Sequence, residues 1–319
     1  MTHAIVTCSD SRYGDFLVSH WGTSLRANVD LSDIDVVIFD YGLTNTQRKG
    51  VEALGFQVRS GKCDGHVVNV RFRDMREWLP TTSYDQVLLI DGGDIIFQSD
   101  IHHLFETNKQ DFRAVCEDLL VPAFALYIST EDFEPNVFQE MFKYLEHRPL
   151  INCGFVLGPC EKMLELCDSC CNNTNSLRRA GVDQFLTNYH LYQDGFVQLD
   201  AGYNFVLLST RHKFKVRAGQ FVDPQNQLIP VVHNAGMGTR LFRDFGFGPS
   251  CNRKDWAVAV GRRAWAMLPV RTRQYLADYR RRARIRARDQ ANSTAQPTIQ
   301  RSPLAEHSPA AASLATPGQ

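Results

Sequence analysis

The stretch Tyr84-Asp85-Gln86-Val87-Leu88-Leu89-Ile90-Asp91-Gly92-Gly93-Asp94-Ile95-Ile96-Phe97 decides the fold. Residues 86–90 read as a strand buried on both faces, with a continuous apolar run at 87–90, and the run stops abruptly at two aspartates separated by two glycines. In open α/β sheets, ligands collect beyond the carboxyl ends of such strands. Two carboxylates crowded there repel each other unless a cation lies between them, and glycine lets a backbone or a phosphate come close. Hard oxygen ligands of this kind suit Mg2+ or Mn2+, usually held together with the phosphates of a nucleotide. An acidic turn uses the same residue types, but its place after the most hydrophobic strand favours a ligand site.

Outward from this stretch, apolar runs alternate with helix-like segments, which predicts βα units, a largely parallel sheet and an α/β fold. Strands are expected at 4–7, 36–39, 56–59, 114–116, 153–157 and 229–232. Helices are expected near 14–27, 46–54, 135–146, 160–171 and 183–192, with Gly55 suited to ending the second. These elements define a single catalytic-size domain over residues 1–250. A basic helical extension over 251–289 and a Ser-, Ala- and Pro-rich segment over 290–319, expected to be disordered, complete the chain.

The 319 residues and 44% hydrophobic content suit an ordinary folded core. Net charge is zero, with 35 basic and 35 acidic residues, but the balance is uneven. Residues 253–288 carry +10, the last segment −1 and the first 252 residues −9. An acidic body argues against nucleic acid as a partner. No run nears the ~20 apolar residues of a bilayer span, and the start lacks the pattern of a secretory signal, so a cytoplasmic protein is expected. Nine cysteines cannot all pair within the chain. Cys160, Cys167, Cys170 and Cys171 cluster without a completing Cys or His pair, so a core role is favoured over zinc. His102, His103 and His190 are read as structural.

Three further pieces carry candidate chemistry. His233-Asn234-Ala235-Gly236 follows an apolar strand, where a neutral imidazole could join distant carboxylates around a divalent ion. Asn152-Cys153-Gly154 opens another strand. Asp183-Gln184, followed by Asn188, opens a helix after Gly181; Asn, Asp and Gln are common partners of sugar hydroxyls, although an Asp there also serves as a plain N-cap.

Together and in this order, these motifs resemble the glycosyltransferases of GT-A fold, an αβα sandwich, especially the family of glycogenin and the lipopolysaccharide glucosyl- and galactosyltransferases. The run Val87–Asp94 with Asp100-Ile101 resembles that family's DxD strand. The Asn152, Asp183-Gln184 and His233 segments resemble its N-x-G strand, its DQ…N helix and its late metal-binding histidine motif. The resemblance spans about residues 4 to 240 and implies a retaining, metal-dependent hexosyltransferase. Such an enzyme would use a nucleotide-sugar, of the UDP-sugar kind, and a saccharide or lipid-linked acceptor, with Mn2+ or Mg2+ as cofactor.

It also implies roles. Asp94, Asp91 and His233 would bind the metal, with Asp91 on metal or ribose. Thr7, Cys8, Tyr13 and Asp40 would line the base and ribose pocket, and Gly236 and Arg240 would approach the diphosphate. Asn152, Asp183 and Gln184 would face the sugar as catalytic residues. Two departures stand out: two glycines separate the aspartates where the family has one residue, and Thr239-Arg240 replaces the phosphate-binding lysine, a change that guanidinium chemistry tolerates.

Two other readings compete. A nucleotidyltransferase acting on a sugar phosphate would use similar carboxylates but a glycine-rich basic loop after the first strand, where this chain has Cys8-Ser9-Asp10-Ser11-Arg12-Tyr13. A non-catalytic nucleotide- or sugar-binding protein would show no turnover. Ile38-Phe39-Asp40-Tyr41-Gly42 lacks the second carboxylate of a dehalogenase-type phosphatase. An inverting reaction would require a base among Glu117, Asp118 or Asp183. Residues 271–288 form a basic amphipathic pattern that would either lie on an anionic membrane, placing the protein at its surface, or pack on the acidic body.

Overall fold

The chain begins with β1 (His3–Ser9), α1 (Gly14–Phe16), a π-turn over Leu17–Gly22, α2 (Thr23–Asn28), β2 (Ile34–Asp40), α3 (Asn45–Ala53), β3 (Gln57–Ser60) and α4 (Val67–Trp78). It continues through β4 (Gln86–Ile90), β5 (Ile95–Phe97), α5 (His103–Glu106), β6 (Phe112–Leu120), α6 (Val121–Ala125), α7 (Pro135–Leu145), β7 (Pro149–Pro159), α8 (Cys160–Asn172) and α9 (Val182–Asp194). Short strands β8 (Phe196–Gln198), β9 (Phe205–Val206), β10 (Lys215–Arg217), β11 (Gln220–Val222) and β12 (Val231–His233) follow. This computed structural model describes residues 2–125, 128, 130–207 and 209–235 and the single positions Leu268, Thr272 and Tyr279. Contacts divide the chain into Met1–Asp278 and Tyr279–Gln319, and all the elements named belong to the first unit.

Seven strands form the central sheet in the order β3-β2-β1-β4-β7-β6-β8. Its strands are parallel apart from β7, which runs antiparallel to both β4 and β6. Alternation along the strands explains why the sheet is covered on both faces. In β1, Ala4, Val6 and Cys8 enter one apolar cluster and Ile5 the other. Likewise Val87 and Leu89 of β4 point to the first cluster, and Leu88 and Ile90 to the second. The first cluster takes Val70, Phe72 and Met75 from α4, Met163 and Leu166 from α8, and Phe185 from α9. The second takes Phe16, Leu17, Trp21 and Leu25 from the first helical stretch. The result is the expected αβα arrangement with a mostly parallel sheet.

Three differences from the sequence expectation bear on the site. The helix expected near 14–27 forms but contains the π-turn. Residues 229–232 do not extend the main sheet; β12 instead lies between β5 and β9 in a separate three-stranded sheet. Helix α4 was not legible and fills the space beside β1. Gly55, with φ +81°, follows α3 as expected. The expected basic extension over 251–289, apart from three single residues, lies outside the described residues, as do the tail over 290–319, Gly236 and Arg240.

Candidate active site

Backbone pairing brings the three candidate metal ligands together. β4 ends at Ile90, and the Asp91 amide donates to the Gly154 carbonyl of β7 at 3.0 Å. β12 pairs with β5 so that His233 lies opposite Ile95, and the Asn234 amide donates to the Asp94 carbonyl at 2.8 Å. Ligand atoms of Asp91, Asp94 and His233 therefore lie within 4.8 Å of one another. His233 Nε2 is 3.2 Å from Asp94 Oδ1 and 3.8 Å from Asp91 Oδ2. The carboxylates reach solvent, with Asp91 27% and Asp94 18% exposed, whereas the imidazole is 1% exposed. This trio is a buried nitrogen behind two accessible oxygens.

Glycines make that approach sterically feasible. A Cβ on Gly154 would lie 2.5 Å from His233 Cε1 and 2.8 Å from Asp91 Oδ2. One on Gly92 would meet the Thr7 hydroxyl at 2.6 Å, and one on Gly93 the Tyr13 ring at 3.0 Å. The paired glycines are thus required by close packing of the first loop, since neither has a left-handed φ. Thr7 is buried with a hydroxyl that makes no hydrogen bond among the described residues, and Cys8 is buried, with burial pushing its thiol up to about 12. Tyr13 is half-buried, with the Arg12 guanidinium 5.1 Å from its ring centroid.

A residue that sequence reasoning missed ties these parts together. Arg71 of α4, 1% exposed, donates through Nη1 to Asp91 Oδ1 at 2.6 Å and through Nη2 to Asp183 Oδ2 at 3.3 Å. Burial alone would raise Asp91, but Arg71 and then His233 bring its carboxyl below the usual range. Burial dominates at Asp183, whose pKa is raised although Arg71 opposes the shift. For His233, burial opposes the charged form, but Asp94 and then Asp91 raise its pKa overall. The signal for Arg71 was an arginine among Val67, Val70, Met75 and Trp78 on one helical face, a position that requires a buried partner.

The residues expected at the sugar are buried near this arginine. Asp183 opens α9 after Gly181, whose φ is +96°. Its Oδ1 accepts from the Gly181 amide at 3.2 Å, and its Oδ2 lies 3.3 Å from the Cys153 thiol. Gln184 Oε1 is also 3.3 Å from that thiol. Asn188 bonds the Ile151 amide and carbonyl, both at 2.8 Å, and so fixes α9 to β7.

The bonds of Asn152 run inward. Its Nδ2 donates to Glu117 Oε1 at 2.7 Å, while its Oδ1 accepts from Gly154 N at 2.9 Å and from Asn204 Nδ2 at 3.1 Å. Asp40 is likewise engaged by its own loop, accepting from the amides of Gly42 and Leu43 and pairing with Arg48. Both side chains are thus engaged in bonds within the protein. Cys167 and Cys170 lie in the first apolar cluster. His102 pairs with Asp33, His103 with the Tyr203 hydroxyl, and His190 stands edge-on to Phe112. A cleft of about 30 Å3 beside Glu117, Asn204 and Ser209 has room for a water.

No protein-family model matches the sequence, and no curated protein matches it. The fold, however, matches solved structures. The galactosyltransferase LgtC, solved with donor and acceptor sugar analogs, aligns at a TM-score of 0.50 and 16% identity, covering 80% of this chain and 99% of LgtC. The bifunctional glycosyltransferase WbbM, solved without ligand, aligns at 0.50 and 14%, covering 86% of this chain and 52% of WbbM. The chain has the GT-A-like fold of these glycosyltransferases.

Proposed function

We propose that the chain is a metal-dependent glycosyltransferase that moves a hexose from a UDP-sugar to a saccharide or lipid-linked acceptor with retention of anomeric configuration. The observation that carries this reading is the Asp91–Asp94–His233 trio at the carboxyl end of β4, within a fold shared with LgtC. His233 Nε2 is buried and has no hydrogen-bond partner among the described residues, although it faces two carboxylates. One nitrogen and two carboxylate oxygens suit Mn2+, and Mg2+ less well.

When bound, the ion supplies Lewis-acid stabilisation of the charge growing on the departing nucleoside diphosphate. Asp91, Asp94 and His233 would hold it. Arg71 keeps Asp91 oriented and, from its other nitrogen, holds Asp183. Asp183 and Gln184 would face the sugar, with Asn152 bracing the histidine side. Thr7 and Cys8 at the end of β1 and Tyr13 in the loop after it would meet base and ribose, with Asp40 shaping the adjoining turn. Gly236 and Arg240 would approach the diphosphate. Residues 271–288 would bring a lipid-linked acceptor close by lying on an anionic membrane.

The test is nucleoside diphosphate release from a panel of UDP- and GDP-sugars, with Mn2+ or Mg2+ and with chelator. Steady, metal-dependent release that vanishes in Asp94→Ala and His233→Ala, both still folded, is the expected result. Pyrophosphate as the product would instead identify a nucleotidyltransferase, and undiminished activity in both variants would sink the assigned site. Sedimentation with anionic liposomes, compared between the full chain and one ending at Gly261, tests the membrane role.

A further inference from the structure

Four polar side chains from four different elements form an unbroken line that ends at the imidazole facing Asp91 and Asp94. Glu117 is on β6, Asn152 on β7, Asn204 at the end of the 3-10 turn Ala201–Asn204, and His233 on β12. Asn152, Asn204 and His233 are buried, and Glu117 is half-buried. We infer that Glu117 is a positioning residue that fixes, through Asn152 and Asn204, which nitrogen of His233 is presented to Asp91 and Asp94.

The direction of the line follows from donor and acceptor chemistry. An ionised carboxylate only accepts, and a backbone N–H only donates. Glu117 Oε1 therefore takes the Asn152 Nδ2 donor at 2.7 Å, while the Gly154 N–H takes Asn152 Oδ1 at 2.9 Å. Turning the Asn152 amide over would set oxygen against carboxylate and N–H against N–H. With that amide fixed, its Oδ1 also accepts Asn204 Nδ2 at 3.1 Å, so Asn204 Oδ1 faces His233 Nδ1 at 2.8 Å. Nδ1 must then carry the proton in the neutral ring, which leaves a lone pair on Nε2, the atom beside the two aspartates. Reversing the line would leave buried donors and acceptors unmatched, which is costly in a low-dielectric interior.

The orientation of the ring does not depend on the metal-dependent reading, although its use as a ligand rests on it. The experiment separates the two. Nitrogen-15 NMR of the histidine-labelled, metal-free full chain, at a pH where the imidazole is neutral, reads the tautomer. Mn2+ binding followed by electron paramagnetic resonance reads the site. The wild-type protein is expected to show the Nδ1–H tautomer at His233. In Glu117→Leu, Asn152 loses its acceptor, so the neutral ring is expected to shift toward Nε2–H and Mn2+ affinity to fall about 10- to 100-fold, the usual effect of losing an outer hydrogen bond to a ligand. Glu117→Gln keeps an oxygen in the same place and is expected to preserve both the tautomer and the affinity.

An Nε2–H tautomer in the wild type overturns the inference without any variant. So does a Glu117→Leu protein with unchanged tautomer and affinity, or a Glu117→Gln protein as impaired as Glu117→Leu, since charge rather than orientation would then be responsible. If Glu117→Leu does not fold, the wild-type tautomer and Glu117→Gln still decide. A wild-type protein that binds no Mn2+ yet shows Nδ1–H sinks the metal reading and leaves the positioning role supported.

Discussion

Gly154 has no conformational reason to be glycine, because its φ is not left-handed; its reason is space. A methyl there would sit inside contact distance of His233 and Asp91, both held by side-chain hydrogen bonds, so neither can yield cheaply. Gly154→Ala is expected to destabilise by about 1–3 kcal/mol, as overpacking does, and to weaken Mn2+ binding out of proportion to that loss. Urea melts and a Mn2+ titration on one preparation check it, and an unchanged affinity would contradict the close approach. Arg71 makes the opposite case, since here removal is the damaging change. Arg71→Leu leaves Asp91 and Asp183 facing each other without their shared cation, and breaking a buried ion pair from one side costs roughly 3–5 kcal/mol. Chemical denaturation should show that loss at neutral pH. Arg71→Lys should recover only part of it, because a single ammonium cannot match two forked N–H groups aimed at two carboxylates. Full recovery by lysine would mean that charge alone, not geometry, is at work.

Among the elements, α5 is too short to hold its place by packing alone, and His102 at its start reaches Asp33, just before β2, at 2.8 Å. The hydrogen bond and charge of Asp33 raise His102, while burial works against Asp33 but His102 holds it low. A raised histidine contributes stability that is complete below its unfolded value of about 6.5 and is lost as pH rises through the folded value. A depressed aspartate contributes above about 3.9 and loses that contribution as pH falls through its folded value. The pair is therefore strongest between these limits. Thermal melts at about pH 5 and about pH 9 should show wild type losing more stability toward high pH than His102→Ala; parallel curves would rule the pair out as a contributor.

The same elements show what a sequence can and cannot reveal. β4 was legible because its residues 87–90 are apolar on both faces and its end is marked by Asp91. Helix α4 was not, because Asn69 and Arg71 interrupt its apolar face for the sake of Asp91, Asp183 and the loop carbonyls of Leu177 and Arg179. The reversed direction of β7 was hidden too, since strand direction depends on partners far away in the chain. For the site, the motifs supplied the three candidate metal ligands, which the fold brings together. The Glu117–Asn152–Asn204–His233 line is spread over four separate segments, and its link Asn204 sits in no local pattern that could have been found.

For the whole molecule, the zero net charge conceals a −9 body and a +10 segment. Two of the body's carboxylates converge at Asp91 and Asp94, and on the function proposed above a cation would have to arrive there before an anionic nucleotide is tolerated. Asp91, Asp94 and His233 are delivered by β4, β5 and β12, and are braced through Gly154 on β7 and Arg71 on α4. An ion gripping all three would stabilise that whole assembly, not a loop, because the site does not survive unfolding. Ligand binding to the folded state alone adds about 2.7 kcal/mol when free ion is at about 100 times Kd. For a unit of this size, that is a midpoint shift of roughly 5 °C. Melts of the full chain across a Mn2+ series should therefore move upward as a single transition, and a nucleoside diphosphate should add a further increment only when the metal is present. His233→Ala and Asp94→Ala should lose the Mn2+ response. Equal shifts in wild type and both variants would place the ion elsewhere, and a nucleotide increment in chelator would show that the acidic body does not require the metal first.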